Sequence, residues 1–369
     1  MSEKPETVPW WFTDIGDAES RAIVDAIRLR RIQCGAVCAE LEGQLAQHLG
    51  VPHVVTASSG SAALAMSLLA SGVGPGDEVI VPAATFVATA HACLLIGAEV
   101  RLVDVLPGRP LIDPDGIEAA VTGKTRAIIP VHINGAICDM KAIQAVAKRH
   151  GLKVIEDAAQ ALCSKDASGY AGTQSDAGAF SMSIAKLVAT GEGGFVAVRN
   201  EQVHERLLRL RNQGVLSFSK NIFDQFGFNF RFTDMLAAMG LAQLKKMPQS
   251  IEAVRQVHHF YKERLAGIHY LEMLESLTDK GELPLWAIVL CAERDKVAAL
   301  LEERGIQTRP VNPCLCASAH LSAGEAFPNA EQFATTGLRL PCGPDQSQEN
   351  LERTVSALHE IAGSISSSI

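Results

Sequence analysis

The chain has 369 residues, more than one small core requires, which points to a large and a small folding unit. Hydrophobic residues make up 47% and charged residues 20%, so a substantial core is buried; a net charge of −8 without a long Lys/Arg run argues against a nucleic-acid groove or a polybasic membrane patch. Aromatic residues are sparse at 5%, which leaves most packing to small and aliphatic side chains.

Residues 1–12 are polar and then aromatic, without the apolar region of a signal peptide. No apolar run approaches the ~20 residues of a bilayer span. A soluble, cytoplasmic protein is therefore expected. Residues 17–50 carry helical patterning broken at Gly35. Val54-Val55 leads into a Ser58-Ser59-Gly60-Ser61 turn, and a helix is predicted over 62–71. A turn at Pro75-Gly76-Asp77 precedes a strand over 78–81, then a helix over 84–96 and a strand over 100–104. A strand over 127–131, a helix over 139–150 and a strand ending in Glu156-Asp157 complete the run. Helices alternating with short apolar strands predict an α/β fold with a mainly parallel sheet covered on both faces. Near residue 250 the pattern changes to one long helix over 249–268, a strand over 285–290, a helix over 293–304 and a last helix over 345–363. The expected division is a large α/β unit over 1–248 and a smaller α+β unit over 249–369. The nine cysteines are odd in number and form no CxxC pair, and Cys314 and Cys316 are too close for a usual chelating pair. Free thiols and no metal site are expected.

In sheets of this kind ligands bind beyond the carboxyl ends of the strands. The Ser58–Ser61 turn opens a helix, whose free N–H groups can hold a phosphate or be merely capped by a serine. At the second junction an apolar strand ends in Glu156-Asp157, where an acid can bind a metal, act as a base, pair with a protonated ring nitrogen or cap the next helix. At the third, the segment Asp176 to Lys186, Lys186 lies between an apolar strand and the glycine-rich turn 191–194. Desolvation among apolar neighbours would lower its pKa and free the amine as a nucleophile toward carbonyls. A phosphate cradle, an acid and a lysine are what a protein supplies to pyridoxal phosphate (PLP).

The chain also resembles the DegT/StrS sugar aminotransferases, which are fold-type-I PLP enzymes. The resemblance runs from about Val8 to about Gln243 and is patchier beyond. It rests on Ser59-Gly60-Ser61-Ala62-Ala63-Leu64, on Gly74 to Pro82 (GPGDEVIVP), on Thr85-Phe86-Val87-Ala88-Thr89, on Pro130-Val131-His132, on Val154 to Ala161 (VIEDAAQA), on Thr190 to Gly194 (TGEGG) and on Gly227 to Arg231 (GFNFR). It implies a seven-stranded-type sheet between helices with a smaller C-terminal α+β domain. It also implies a role for each matching residue. Lys186 would form a Schiff base with the cofactor and shuttle a proton, and Asp157 would pair with the pyridinium nitrogen. Gln160 would bond near the ring's 3-oxygen, Phe86 would stack on the ring, and Gly60, Ser61 and Ser181 would hold the phosphate. Asn229 would reach into the other subunit's site in a homodimer. The implied reaction moves an amino group from an amino acid, L-glutamate, to a nucleotide-linked keto-sugar; an aminocyclitol precursor or a free keto-sugar acid are the alternatives.

The second half departs from the family pattern. Arg211-Asn212-Gln213-Gly214 stands where members often read Arg-Asn-His-Gly, and Val311 to Cys316 (VNPCLC) stands where aromatic and His residues often face the sugar. Arg309 is a candidate for a substrate phosphate or carboxylate. Two further readings are a PLP-dependent sugar dehydratase and a non-catalytic homologue. Lys186 argues against the first, whose members carry His there, and the Lys186, Asp157 and Gln160 set argues against the second.

Overall fold

The computed structural model describes residues 6–217, 223, 225–321 and 324–365. Helices α1 (Asp17–Arg28) and α2 (Ala36–Leu49) precede the sheet. Next, β1 (His53–Ala57) leads into α3 (Gly60–Ala70), β2 (Glu78–Pro82) into α4 (Ala88–Leu95), β3 (Glu99–Val103) into α5 (Pro114–Ala120), and β4 (Thr125–Ile128) into α6 (Met140–His150). After β5 (Lys153–Asp157) comes a small hairpin, β6 (Lys165–Asp166) and β7 (Gly169–Tyr170), and then β8 (Ala177–Ser181), β9 (Gly194–Val198) and α7 (Glu201–Arg211). The strand order is β1-β9-β8-β5-β4-β2-β3. Only β9 runs against the others, pairing antiparallel with both β1 and β8.

The sparse aromatic content is explained by how closely the layers approach. In α3 every residue from Ala62 to Leu68 is buried, together with Ala70, so this helix is enclosed on all sides rather than amphipathic. Its alanines let β8 and β9 come close. A Cβ added at Gly194 would lie 2.6 Å from the Gly60 backbone nitrogen and 2.6 Å from the Phe180 carbonyl oxygen. The expected strand over 127–131 is shorter: it ends at Ile128, Pro130 has no N–H to donate, and beyond it only Val131 bridges to Asp157.

Helix α8 spans Asp234–Arg264 and contains Pro248. The sequence reading starts this helix at 249, since proline is tolerated at a first helical turn and costly inside. Here the helix begins 15 residues earlier, where Thr233 Oγ1 accepts from the Leu236 N–H. The expected division after residue 248 thus falls inside one helix. Beyond α8 lie β10 (Glu272–Met273), β11 (Ile288–Leu290), α9 (Arg294–Glu302), β12 (Arg309–Pro310), α10 (Pro328–Thr336), β13 (Gly337–Arg339) and α11 (Gln348–Ile361). The four strands pair antiparallel in the order β10-β11-β13-β12. One apolar cluster joins α2, Phe180, Phe195 and α8 to Leu285, Val289, Leu338 and Leu358, so the second sheet shares a core with one face of the first. The expected run of nine free thiols differs at one place: the Cys314 and Cys316 sulfurs are paired across a 3-10 turn, with Cα atoms 5.3 Å apart.

Candidate active site

A cavity of about 390 Å³ opens at the carboxyl ends of β1, β5 and β8. Each of those strands is followed by a loop that must leave the sheet there, which is why the chemistry collects at this edge.

At β1 the loop enters α3. Ser59 Oγ accepts from the Ala62 N–H at 3.1 Å and caps the helix. Gly60 and Ser61 line the cavity at the positive end of the helix, where the first-turn N–H groups have no partner within the helix. Ser181, at the end of β8, closes on this turn: a Cβ at Gly60 would sit 3.0 Å from the Ser181 Cβ. Two amides, a serine hydroxyl and a helix N-terminus make an anion cradle.

At β5 the two acids part company, because neighbouring residues of a strand point to opposite faces. Glu156 is fully buried and accepts from His132 Nε2 (3.0 Å), the Gly172 N–H (2.7 Å), the Gln174 N–H (2.8 Å) and Ser175 Oγ (2.8 Å). The Cys138 N–H donates to His132 Nδ1, so Nε2 is the protonated ring nitrogen. Glu156 therefore ties loops together. Asp157 faces the cavity: Thr89 Oγ1 donates to one carboxylate oxygen (2.8 Å) and the Ala159 N–H to the other (3.1 Å). Burial pushes its pKa up, against the pull of those hydrogen bonds and of Lys186. A buried carboxylate of this kind is stabilised by a cation in the cavity.

Past β8, Lys186 reaches the same cavity, and its amine lies 5.0 Å from the Trp286 ring centroid. Loss of solvent lowers its pKa to about 8; Asp157 opposes the shift and Arg339 adds to it. The lysine loop is pinned from the N-terminus, where Thr13 Oγ1 (2.7 Å) and Trp11 Nε1 (3.2 Å) both donate to the Ile184 carbonyl. Gln160 Oε1 accepts from the Asn134 N–H at 2.8 Å, and Phe86 is 56% exposed at the cavity mouth.

Gly60, Ser61, Phe86, Asp157, Gln160, Ser181 and Lys186 thus line one cavity. Asn229 and Arg309 do not. Asn229 is exposed and bridges Asn212, and the Arg309 guanidinium lies 5.9 Å from the Trp10 ring centroid. The sequence reading missed Thr89 as the carboxylate's partner, although it sits in the quoted Thr85–Thr89 motif. It also missed Trp286, Asn312 and Arg339, which line the cavity from the second sheet and its loop. No local pattern marks those three, since only the folding of the C-terminal part onto the first sheet brings them there. Among the described residues, one group collects metal-ligating atoms: His53, Glu201 and His204. Its imidazoles are stacked 4.2 Å apart and 9° from parallel, so their in-plane lone pairs run side by side instead of converging on an ion.

The residues present fit PLP: a cradle for its phosphate, a buried acid for its ring nitrogen and a poised amine for its aldehyde. Residues 13–359 match the model of the DegT/DnrJ/EryC1/StrS aminotransferase family. The chain belongs to this family. It is a PLP-dependent sugar aminotransferase. It is 34% identical over 336 residues to the GDP-perosamine synthase of Caulobacter vibrioides, covering 89% of this chain and 90% of that one. Identity is 35% over 322 residues to a UDP-N-acetyl-3-dehydro-alpha-D-glucosamine 3-aminotransferase of Acidithiobacillus ferrooxidans, covering 86% of each chain. Among solved structures, DesV of S. venezuelae in complex with a ketimine intermediate superposes with a TM-score of 0.89 at 32% identity, covering 97% of this chain and 99% of that one. Among the described residues, no helix of this aminotransferase is long and apolar enough to cross a membrane.

Proposed function

We propose that this aminotransferase takes an amino group from an amino acid, L-glutamate, and gives it to a nucleotide-linked keto-sugar, with PLP held covalently on Lys186. The observation that carries this reading is the shared cavity, in which a half-buried amine of lowered pKa, a buried carboxylate and a helix N-terminus converge. Bound PLP supplies an electron sink, so that an amino group can leave one carbon and later join another.

The chain's own groups do the rest. Gly60, Ser61 and Ser181 hold the phosphate at the mouth of α3. Asp157, kept in place by Thr89 and the Ala159 N–H, holds a proton on the ring nitrogen. Gln160 has its carbonyl committed to Asn134, which leaves the amide NH2 for the ring's oxygen. Phe86 covers one ring face. Lys186 moves the proton between the substrate carbon and the cofactor, and a pKa of about 8 suits it to both directions near neutral pH. The names of the Caulobacter and Acidithiobacillus relatives both carry a nucleoside-diphosphate sugar, which supports a nucleotide-linked acceptor. Asn229 lies outside this chain's own cavity and serves the partner's site in a cytoplasmic homodimer.

The test is borohydride reduction of the PLP-loaded protein followed by peptide mass analysis. The added mass belongs on the peptide containing Lys186, and Lys186→Ala carries none. Addition of L-glutamate abolishes the visible absorption band of the wild type, and a nucleotide-linked keto-sugar restores it. A band that no amino acid alters would refute the transfer reading.

A further inference from the structure

The cavity contains a cation that the roles above leave unused. Arg339 ends β13 and lines the cavity, with its guanidinium 4.4 Å from the Trp286 ring centroid. Lys186 lies 5.0 Å from the centroid of the same ring. Arg339 Nη1 donates to the Pro310 carbonyl at 3.0 Å and Nη2 to Asn312 Oδ1 at 3.3 Å, both neutral acceptors. Its Nε–H is buried without a partner, as is the Trp286 indole N–H. Among the described residues no carboxylate comes within ion-pair distance of it. Other withdrawn cations of this protein are paired: Arg211 with Glu42, Arg109 with Glu282, and Lys246 with both Asp14 and Glu19. Desolvation lowers the pKa of Arg339 to about 10, and only neutral acceptors, the Trp286 ring and the Cys342 sulfur work against that shift.

Two neutral anchors fix the plane of the guanidinium, and the indole covers one of its faces. A planar fork held in this way suits a carboxylate, which takes two parallel N–H bonds. We propose that Arg339, with Asn312 and the face of Trp286, forms a carboxylate subsite beside Lys186, so that a substrate bound there presents a carboxylate to the second sheet. The proposal rests on the aminotransferase reading of this cavity. The carboxylate has two sources of the same chemistry: the α-carboxylate of the amino donor, or an acid group on the keto-sugar.

The test uses the PLP-loaded protein and calorimetric titration with succinate, a carboxylate that transfers no amino group. Wild type binds succinate, and Arg339→Gln weakens binding roughly 10- to 100-fold, the span for hydrogen bonds to a charged group. Arg339→Lys gives an intermediate loss, because a point charge lacks the fork. Asn312→Ala, which frees the guanidinium to turn, weakens binding less than Arg339→Gln and carries the comparison should that variant not fold. Failure of wild type to bind succinate, or equal affinity in all variants, overturns the subsite. The source is read from each half-reaction followed alone. A loss in Arg339→Gln with L-glutamate but not with its α-amide assigns the donor. A loss with an acidic keto-sugar but not with its uncharged counterpart assigns the acceptor. If no donor is processed while succinate still binds through Arg339, the transfer reading fails and the subsite stands.

Discussion

At Lys186, burial makes a strong base usable. The neutral amine is the form that attacks an aldehyde, and with a pKa of about 8 its fraction falls roughly tenfold for each pH unit below that value. In protein freed of cofactor, the rate of PLP attachment should therefore climb toward about pH 8 and level off above it, as followed by the visible band after rapid mixing. A rate that stays flat from about pH 6 to 9 would contradict the lowered pKa. Asp157 presents the opposite case, a carboxyl pushed up by burial and steadied by Thr89. Asp157→Asn removes the charge that keeps the ring nitrogen protonated, and turnover should fall roughly 10²- to 10⁴-fold, the span for loss of a positioned proton-holding group. Thr89→Val leaves the acid but removes one bond to it, and the loss should be nearer tenfold. Steady-state kinetics of the two variants separate the charge from its support.

Elements meet here through backbone contacts that local patterns do not display. Helix α2 begins at Gly35, which has no side chain to cap it; Asp234, the first residue of α8, supplies the cap by accepting from the Gly35 and Cys38 N–H groups, each at 2.9 Å. Asp234→Ala should cost about 1–2 kcal/mol, measured by denaturant unfolding. Pro248 acts the other way: inside α8 it removes one helical hydrogen bond, and Pro248→Ala should stabilise by about 1–3 kcal/mol in the same assay. The helical pattern after 248 is legible because Val254, Val257 and Tyr261 repeat on one buried face. The half before 248 is masked, because a proline reads as a beginning and the apolar positions there are shared among several neighbours.

For the molecule as a whole, exposed apolar surface bears on the proposed homodimer. Phe86, Ile184, Leu216, Phe223 and Phe226 are each more than half exposed, a concentration of large apolar side chains around the cavity and the segment leading to Asn229. The proposed homodimer would cover them with a second copy of the chain. If each site is completed by the partner's Asn229, Lys186→Ala and Asn229→Ala are both inactive alone but recover up to about a quarter of wild-type activity when mixed and refolded together, since random pairing makes half the dimers mixed and each mixed dimer keeps one intact site. No recovery, or a fully active monomer in sedimentation, would contradict the shared site.

PLP and the turn, acid and lysine that line one cavity were legible in the chain's local pattern and family resemblance. The serine-glycine turn, the acid at the end of β5 and the lysine after β8 lie at strand ends, and a parallel sheet places successive strand ends along one edge, so order in the chain translates into proximity in space. The bare pattern of an apolar strand ending in two acids does not separate Glu156 from Asp157; the family resemblance singles out Asp157, and the face of β5 that meets the cavity explains why Glu156 ties loops together instead. Nor could the sequence choose among the arginines of the second half. Arg309 stands in a conspicuous Gly-Ile-Gln-Thr-Arg-Pro run yet lies against Trp10, whereas Arg339, in a three-residue strand with no motif, lines the cavity. The tertiary structure decided that, because the packing of the second sheet against the first is set by a shared apolar core, and the direction each arginine faces follows from that packing rather than from its neighbours in sequence.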